Sequence, residues 1–366
     1  MNSVRKLWTE YHQAVWLDNI RRSLIEDGGL EEMIRTVGVR GLTSNPSIFK
    51  KAIADTGEYD AQVADLLKDR PEISVEELYE ELVIRDIRGA AELLAGVWES
   101  SSQSDGFVSL EVSPELAGDT AGTIREARRL WKAVNRPNLM IKVPATPAGI
   151  PAIRQLIAEG INVNATLMFS LADYEAVVNA YLRGLEAAED PSTIASVASF
   201  FVSRVDTAVD TLLEQIASDE ALTLRGKAAI ANAAAAYSRF KEIFHGEDFA
   251  PLVDRGAFVQ RPLWASTSTK NPAYRDVLYI EELIGRETVN TIPSGTLEAF
   301  LDHGELRDSL HEWAEQAPEI LERLADVGID LDRVTTTLQQ DGVRAFQQAY
   351  HELLDSLRGK MAQIRS

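Results

Sequence analysis

The chain has 366 residues, 45% of them apolar, enough for one large core or two ordinary ones. Acidic side chains number 57 against 37 basic ones, a formal charge of −20, so duplex nucleic acid and anionic membrane surfaces are repelled. An anionic small molecule held by a few convergent Arg or Lys side chains is not excluded. Cysteine is absent, which removes disulfides, thiol nucleophiles and thiolate metal sites together and suits a reducing cytosol. The first twenty residues have no apolar stretch of signal-peptide length, and no run reaches the roughly 18 apolar residues of a membrane span. The composition reads as a soluble, cytoplasmic protein.

Along the chain, short apolar runs recur between longer helical patterns. They are "AVWLDN" at 14 to 19, "GVRGLTSN" at 38 to 45, "FVSLEVS" at 107 to 113 and "LMIKVPA" at 139 to 145, then "INVNATLMF" at 161 to 169, "IASVASFF" at 194 to 201, "RPLWASTST" at 261 to 269 and "TVNTIP" at 288 to 293. Strands alternating with helices imply parallel pairing, since parallel neighbours need a crossover. Eight such runs predict a closed α/β barrel. Ser74 and Glu77 open one helical segment at capping-box spacing, Ser170 and Asp173 open another, and the Ala-rich stretch from 225 to 244 suits a helix laid close against a sheet. A minimal barrel takes about 250 residues. The surplus lies in some sixty residues between the second and third strands, long enough for two helices, and in a helical C-terminal extension from about 303 to 366. In that extension Val343, Phe346, Tyr350, Leu353 and Leu357 mark the buried stripe of a last helix. Residues 1–366 read as a single domain; the sequence pattern is compatible with a last helix that covers the barrel mouth and with one that packs outside it.

Strands buried on both sides should be continuously apolar. These runs are, until one point in each: Asp18, Asn45, Glu111, Lys142, Asn164 with Thr166, Ser199 and Ser266, with Arg204 just past the sixth strand. Their polar groups would converge at one end of the barrel, where barrel enzymes keep their chemistry. Burial among apolar walls favours the neutral form of an amine, and a neutral amine attacks carbonyls, so Lys142 is a candidate nucleophile. The alternative is a structural ion pair of Lys142 with Glu111 or Asp18. Glu111 and Thr166 could relay protons through a water, or Glu111 could simply neutralise the lysine. Asp18 could instead cap a following helix, Asn45 before Pro46 could be turn chemistry, and Arg204 could pair with Asp206 rather than meet a phosphate. Lys270 has a solvated loop position as its plain reading. The five histidines form no metal or triad spacing, and no Walker loop, GxGxxG or EF-hand pattern occurs, so neither a metal nor a nucleotide cofactor is expected.

The motifs "WLDNI", "GLTSNPSIF", "SLEVSPELAGDT", "MIKVPAT", "GINVNATLMFS", "SFFVSRVD" and "WASTSTKNP" stand in an order that resembles the transaldolases, Schiff-base-forming barrel aldolases, from the N-terminus to roughly residue 300. The tail resembles that of their longer bacterial members. The resemblance implies a (β/α)8 TIM barrel, no cofactor, and reversible transfer of a dihydroxyacetone unit from sedoheptulose 7-phosphate to glyceraldehyde 3-phosphate in the pentose phosphate pathway. It implies Lys142 as the Schiff-base lysine, Asp18 as the acid/base of carbon–carbon cleavage, and Glu111 with Thr166 handling the water of imine formation. By the same resemblance Asn45 and Asn164 bind the dihydroxyacetone hydroxyls, Ser199 and Phe201 line the pocket, and Arg204 and Ser266 hold phosphate. Shorter relatives carry Ser-Phe-Arg-Asn after the seventh strand; here Lys270 is the candidate to replace that arginine, as a point charge without bidentate geometry. The expected partners are sugar phosphates, with the chain a monomer or homodimer. A simple aldolase and a phosphosugar-binding barrel without turnover are the competing functions.

Overall fold

The computed structural model describes residues 1–365. Eight strands, β1 (Ala14–Asp18), β2 (Leu42–Thr43), β3 (Val108–Glu111), β4 (Leu139–Pro144), β5 (Val163–Met168), β6 (Ser196–Phe201), β7 (Arg261–Ala265) and β8 (Val289–Ile292), pair in parallel in chain order, and β8 closes on β1. Each lies inside one of the eight predicted runs, and the fold is a closed (β/α)8 TIM barrel. Its strand residues are buried except Asp18, Glu111 and Arg261, which are partly exposed. The first two end their strands and the third begins one, so strand side chains reach solvent only at the two barrel ends.

Local chemistry sets the helix boundaries. Ser74 accepts from the Glu77 amide at 3.1 Å while the Glu77 carboxylate accepts from the Ser74 amide at 3.0 Å, a complete capping box at the start of the helix Val75–Ser100. Ser170 likewise accepts from the Asp173 amide. The helix Ala228–Phe244 packs against both β7 and the helix Ser309–Asp326, and a surface of alanines permits close approach on both sides. Between β2 and β3 there are three helices, Pro46–Ala54, Asp60–Asp69 and Val75–Ser100, where the sequence suggests two. The short polar break at 55 to 59 divides what reads as one segment.

The C-terminal extension ends in a 35-residue helix, Leu331–Arg365, hereafter the terminal helix. It lies across the carboxyl ends of the strands: Gln339 Nε2 donates to the carbonyls of Ala145 (3.1 Å) and Leu167 (3.2 Å), after β4 and within β5. Gly342 explains how close it comes, since a Cβ there would stand 3.0 Å from Leu167 Cδ2. Leu353 and Leu357 are fully buried and Phe346 nearly so, while Val343 and Tyr350 are half-buried against the core. The helix therefore covers the barrel mouth. Among the described residues no helix is long and apolar enough to cross a membrane.

At the opposite end the fully buried Asp105 collects three donors: Trp16 Nε1 at 2.8 Å, Arg40 Nε at 2.8 Å and Arg261 at 3.3 Å. Gly41 makes room for this arrangement, because a Cβ there would sit 2.5 Å from the Trp16 ring. Removing the acid strands two largely buried guanidinium groups. Asp105→Asn is expected to cost about 3–5 kcal/mol in urea unfolding, and a loss below about 1 kcal/mol would contradict the role given to this cluster.

Candidate active site

Parallel register brings the polar strand ends together. Glu111 pairs across to Lys142 and Lys142 to Asn164 on successive strands β3, β4 and β5. The side chain of Lys142 is 6% exposed; its Nζ donates to the Ser44 carbonyl at 3.2 Å and lies 3.8 Å from Glu111 Oε2. The second distance is within ion-pair reach but beyond a hydrogen bond. Phe346 of the terminal helix presents its ring 5.9 Å from Nζ. Lys142 thus has a carbonyl, a loosely placed acid and an aromatic face around it, and no tight ionic partner among the described residues.

The acids around it are shifted by burial. Burial pushes the Glu111 carboxyl up to about 7, with Lys142 pulling it down and Asp18 pushing it further up. Asp18 is also raised, chiefly by burial, against the opposing influence of Lys142, the Thr43 hydroxyl and Lys51. Thr43 donates to Asp18 Oδ1 at 2.7 Å; with its single proton so directed, it accepts from Thr291 at 2.6 Å. Asp18 caps nothing, since the helix Arg22–Glu26 begins after Arg21. Deeper in the barrel, Asn164 is fully buried, donating to Ser109 Oγ at 3.0 Å and accepting from Ser199 Oγ at 2.6 Å. Thr166 Oγ1 and Glu111 Oε2 are buried without a hydrogen-bond partner among the described residues. Buried polar atoms without a partner are uncommon, and each calls for an explanation.

A cavity of about 300 Å³ at the mouth is lined by Asp18, Asn45, Lys142, Ser199, Phe201, Arg204, Ser266 and Lys270 among others. Asn45 is the N-cap of the helix Pro46–Ala54, its Oδ1 accepting from the Ile48 amide at 3.0 Å, so the turn reading becomes a cap that also faces the cavity. Arg204 does not pair with Asp206, whose carboxylate accepts from the Ala229 amide and the Tyr279 hydroxyl. Arg204 instead lies 5.4 Å from the Phe201 ring, and burial holds its guanidinium below the ordinary arginine range. Ser266 takes a left-handed backbone, φ 57°, which costs a non-glycine residue on the order of 1 kcal/mol and sets its hydroxyl 2.9 Å from Ser203 Oγ. Lys270 Nζ donates to Ser268 Oγ at 2.8 Å and has no carboxylate partner among the described residues.

Of the predicted residues, Glu111, Asn164 and Thr166 do not line this cavity, although Glu111 is beside the lysine. The cavity adds Thr43, Lys51, Ser268, Thr291 and Phe346. Thr43 and Thr291 stand at strand ends and follow the same polar-end rule. Lys51 sits on a helix and Phe346 on a distant one, where no strand pattern points to them.

Because the acid form of Glu111 is favoured in the fold, ionising it opposes folding. Its raised value means this penalty is absent below the unfolded value near 4.5, grows as pH rises, and is complete above about 7. Glu111→Gln should therefore melt at higher temperature than the native protein at pH 8 and at nearly the same temperature at pH 4; equal shifts at both would remove the burial argument.

The residues from 15 to 357 match the family model described as Transaldolase/Fructose-6-phosphate aldolase. A protein named Transaldolase from Mycolicibacterium smegmatis is 50% identical over 353 residues, 95% of each chain. Another of that name from Thiobacillus denitrificans is 51% identical over 346 residues, covering 93% of this chain and 96% of its own length. Transaldolase 1 of Streptomyces coelicolor is 49% identical over 93% of this chain and 90% of its own. With the closed barrel and the lysine at its mouth, these matches establish that the chain belongs to the transaldolase/fructose-6-phosphate aldolase family.

Proposed function

We propose that the chain is a transaldolase that moves a dihydroxyacetone unit from sedoheptulose 7-phosphate to glyceraldehyde 3-phosphate through a Schiff base on Lys142, releasing erythrose 4-phosphate and forming fructose 6-phosphate. The observation that carries this reading is Lys142 itself, an almost fully buried amine facing a polar cavity with no acid within hydrogen-bond distance. Its Nζ adds to the C2 carbonyl, the resulting carbinolamine loses water, and the iminium becomes an electron sink. Asp18, raised by burial yet held in place by Thr43, takes the C4 hydroxyl proton as the C3–C4 bond breaks, leaving an enamine. The same proton returns when the enamine carbon attacks the acceptor aldehyde.

Glu111 supplies and recovers the proton of the dehydration step, with Thr166 holding the water; a carboxyl at about 7 is close to the ideal for both duties near neutrality. Asn45 binds the hydroxyls of the three-carbon unit, and Asn164, tied to Ser109 and Ser199, fixes the floor beneath it. Arg204, Ser266 and Lys270 receive the phosphate. An arginine without an ionic partner among the described residues, in one cavity with a serine whose backbone is strained, suits an anion. The 366 residues act as one catalytic unit, monomeric or homodimeric, in the cytoplasm.

Borohydride reduction after mixing with fructose 6-phosphate should leave a stable adduct on Lys142, and Lys142→Ala should fold, trap nothing and turn over nothing. A fully active variant would end the assignment, and an unreactive native protein would favour a phosphosugar-binding barrel. Sustained release of dihydroxyacetone without an acceptor would point to an aldolase. Asp18→Ala should still trap the adduct while cleaving roughly 10² to 10⁴ times more slowly; loss of trapping would move Asp18 into imine formation.

A further inference from the structure

Glu111 stands in the wall between two cavities. Lys142 lines the mouth cavity, whereas Glu111 lines a second one of about 280 Å³, together with Ser44, whose carbonyl accepts from Lys142. Asn45 borders both. The second cavity opens sideways, beneath the helix Val75–Ser100, between apolar walls that include Val83 and Leu130. Its rim reaches solvent, since Glu76, Glu77 and Arg129 are exposed.

The charge at this side opening is opposite to that of the mouth. Glu76, Glu77, Glu80 and Glu126 stand there against Arg129, which both Glu80 and Glu126 hold. A phosphorylated sugar is repelled by such a rim, while a water molecule is not. The mouth cavity carries Lys51, Arg204 and Lys270, and the terminal helix with Phe346 lies over it. Sugar in the mouth therefore closes the path between Lys142 and bulk water on that side, at the moment when imine chemistry must release or admit a water.

We propose that the lateral cavity is the water and proton passage of the imine step, reaching Glu111 from the side while the sugar fills the mouth. This rests on the transaldolase reading above. At the carbinolamine the C2–O bond breaks with its electron pair on oxygen, which takes the proton of the Glu111 carboxyl. The nitrogen lone pair forms the C=N bond. The products are an iminium cation, the Glu111 carboxylate and one water, which leaves sideways; a proton from solvent then restores the carboxyl along the same path. Hydrolysis of the product imine runs these steps backwards.

The groups facing Glu111 fit a passage. Lys142 meets it from β4 and Asp18 acts on it from β1, both from the mouth side. On the lateral side the nearest titratable groups are phenols: Tyr79, raised by burial with a further push from Tyr350 and Glu111, and Tyr350 of the terminal helix, its ring 5.6 Å from that of Tyr79. Both stay neutral across the working range and leave Glu111 as the group that titrates there, with the rim acids beyond them.

The test narrows the passage without touching the lysine. Val83→Phe fills it from the wall, and Glu80→Trp, at a side chain 28% exposed, covers it from the rim with little demand on folding. With fructose 6-phosphate carrying ¹⁸O at C2, the readouts are loss of the label to solvent above the enzyme-free rate and the rate of borohydride trapping. Both variants should slow both processes about tenfold or more, with the falling limb of the pH profile moved upward because a less hydrated carboxyl holds its proton longer. Inhibition by inorganic phosphate, which probes the mouth, should be unchanged. Either variant, folded and forming the imine within about twofold of the native rate, overturns the passage while leaving the transaldolase reading intact. A native enzyme that traps no adduct removes both.

Discussion

The register of three neighbouring strands is the constraint on which the site depends. Glu111, Lys142 and Asn164 stand side by side on β3, β4 and β5 because parallel hydrogen bonding holds those strands in step. A slip of one residue on β4 would turn Lys142 out of the barrel and send an apolar neighbour into its place. The barrel is closed, so no free edge lets that register drift.

Burial then does two jobs at once. It pushes Glu111 and Asp18 towards their protonated forms, and it leaves atoms such as Thr166 Oγ1 without a partner among the described residues. Both effects oppose folding, and the surrounding core of continuous apolar strands sustains them. At the other end of the barrel the same kind of buried acid is fully satisfied: Asp105 has three donors. The contrast separates an acid whose oxygens the fold satisfies from acids that burial pushes towards their protonated forms.

The terminal helix converts an open barrel mouth into two differently charged openings. It anchors through Gln339 to carbonyls near β4 and β5, brings Phe346 within 5.9 Å of Lys142, and places Tyr350 against Tyr79 of the inserted helix. The two additions to the minimal barrel thus meet over the site. Their contact has a local cause in Gly342, whose missing side chain allows the helix to rest on β5.

Much of this is legible along the chain. All eight strands lie within the apolar runs, and Lys142, Glu111 and Asp18 stand out as polar interruptions in them, because the preference for apolar residues in a doubly buried strand is a local property. The capping of helices at Ser74 and Ser170 is local too. The family motifs, taken in their order along the chain, suffice for the resemblance to transaldolases. What chain order does not carry is the meeting of distant elements. Lys51 and Phe346 join the cavity from helices, where a cation or an aromatic residue is unremarkable in sequence. Arg204 and Asp206, adjacent enough to suggest an ion pair, face different partners because the helix they begin turns them apart. The last helix covers the mouth, and Glu111 looks into a lateral cavity, because of contacts between segments far apart in the chain. Such contacts depend on how the closed barrel arranges its surroundings, a property of the whole chain that no window of sequence contains.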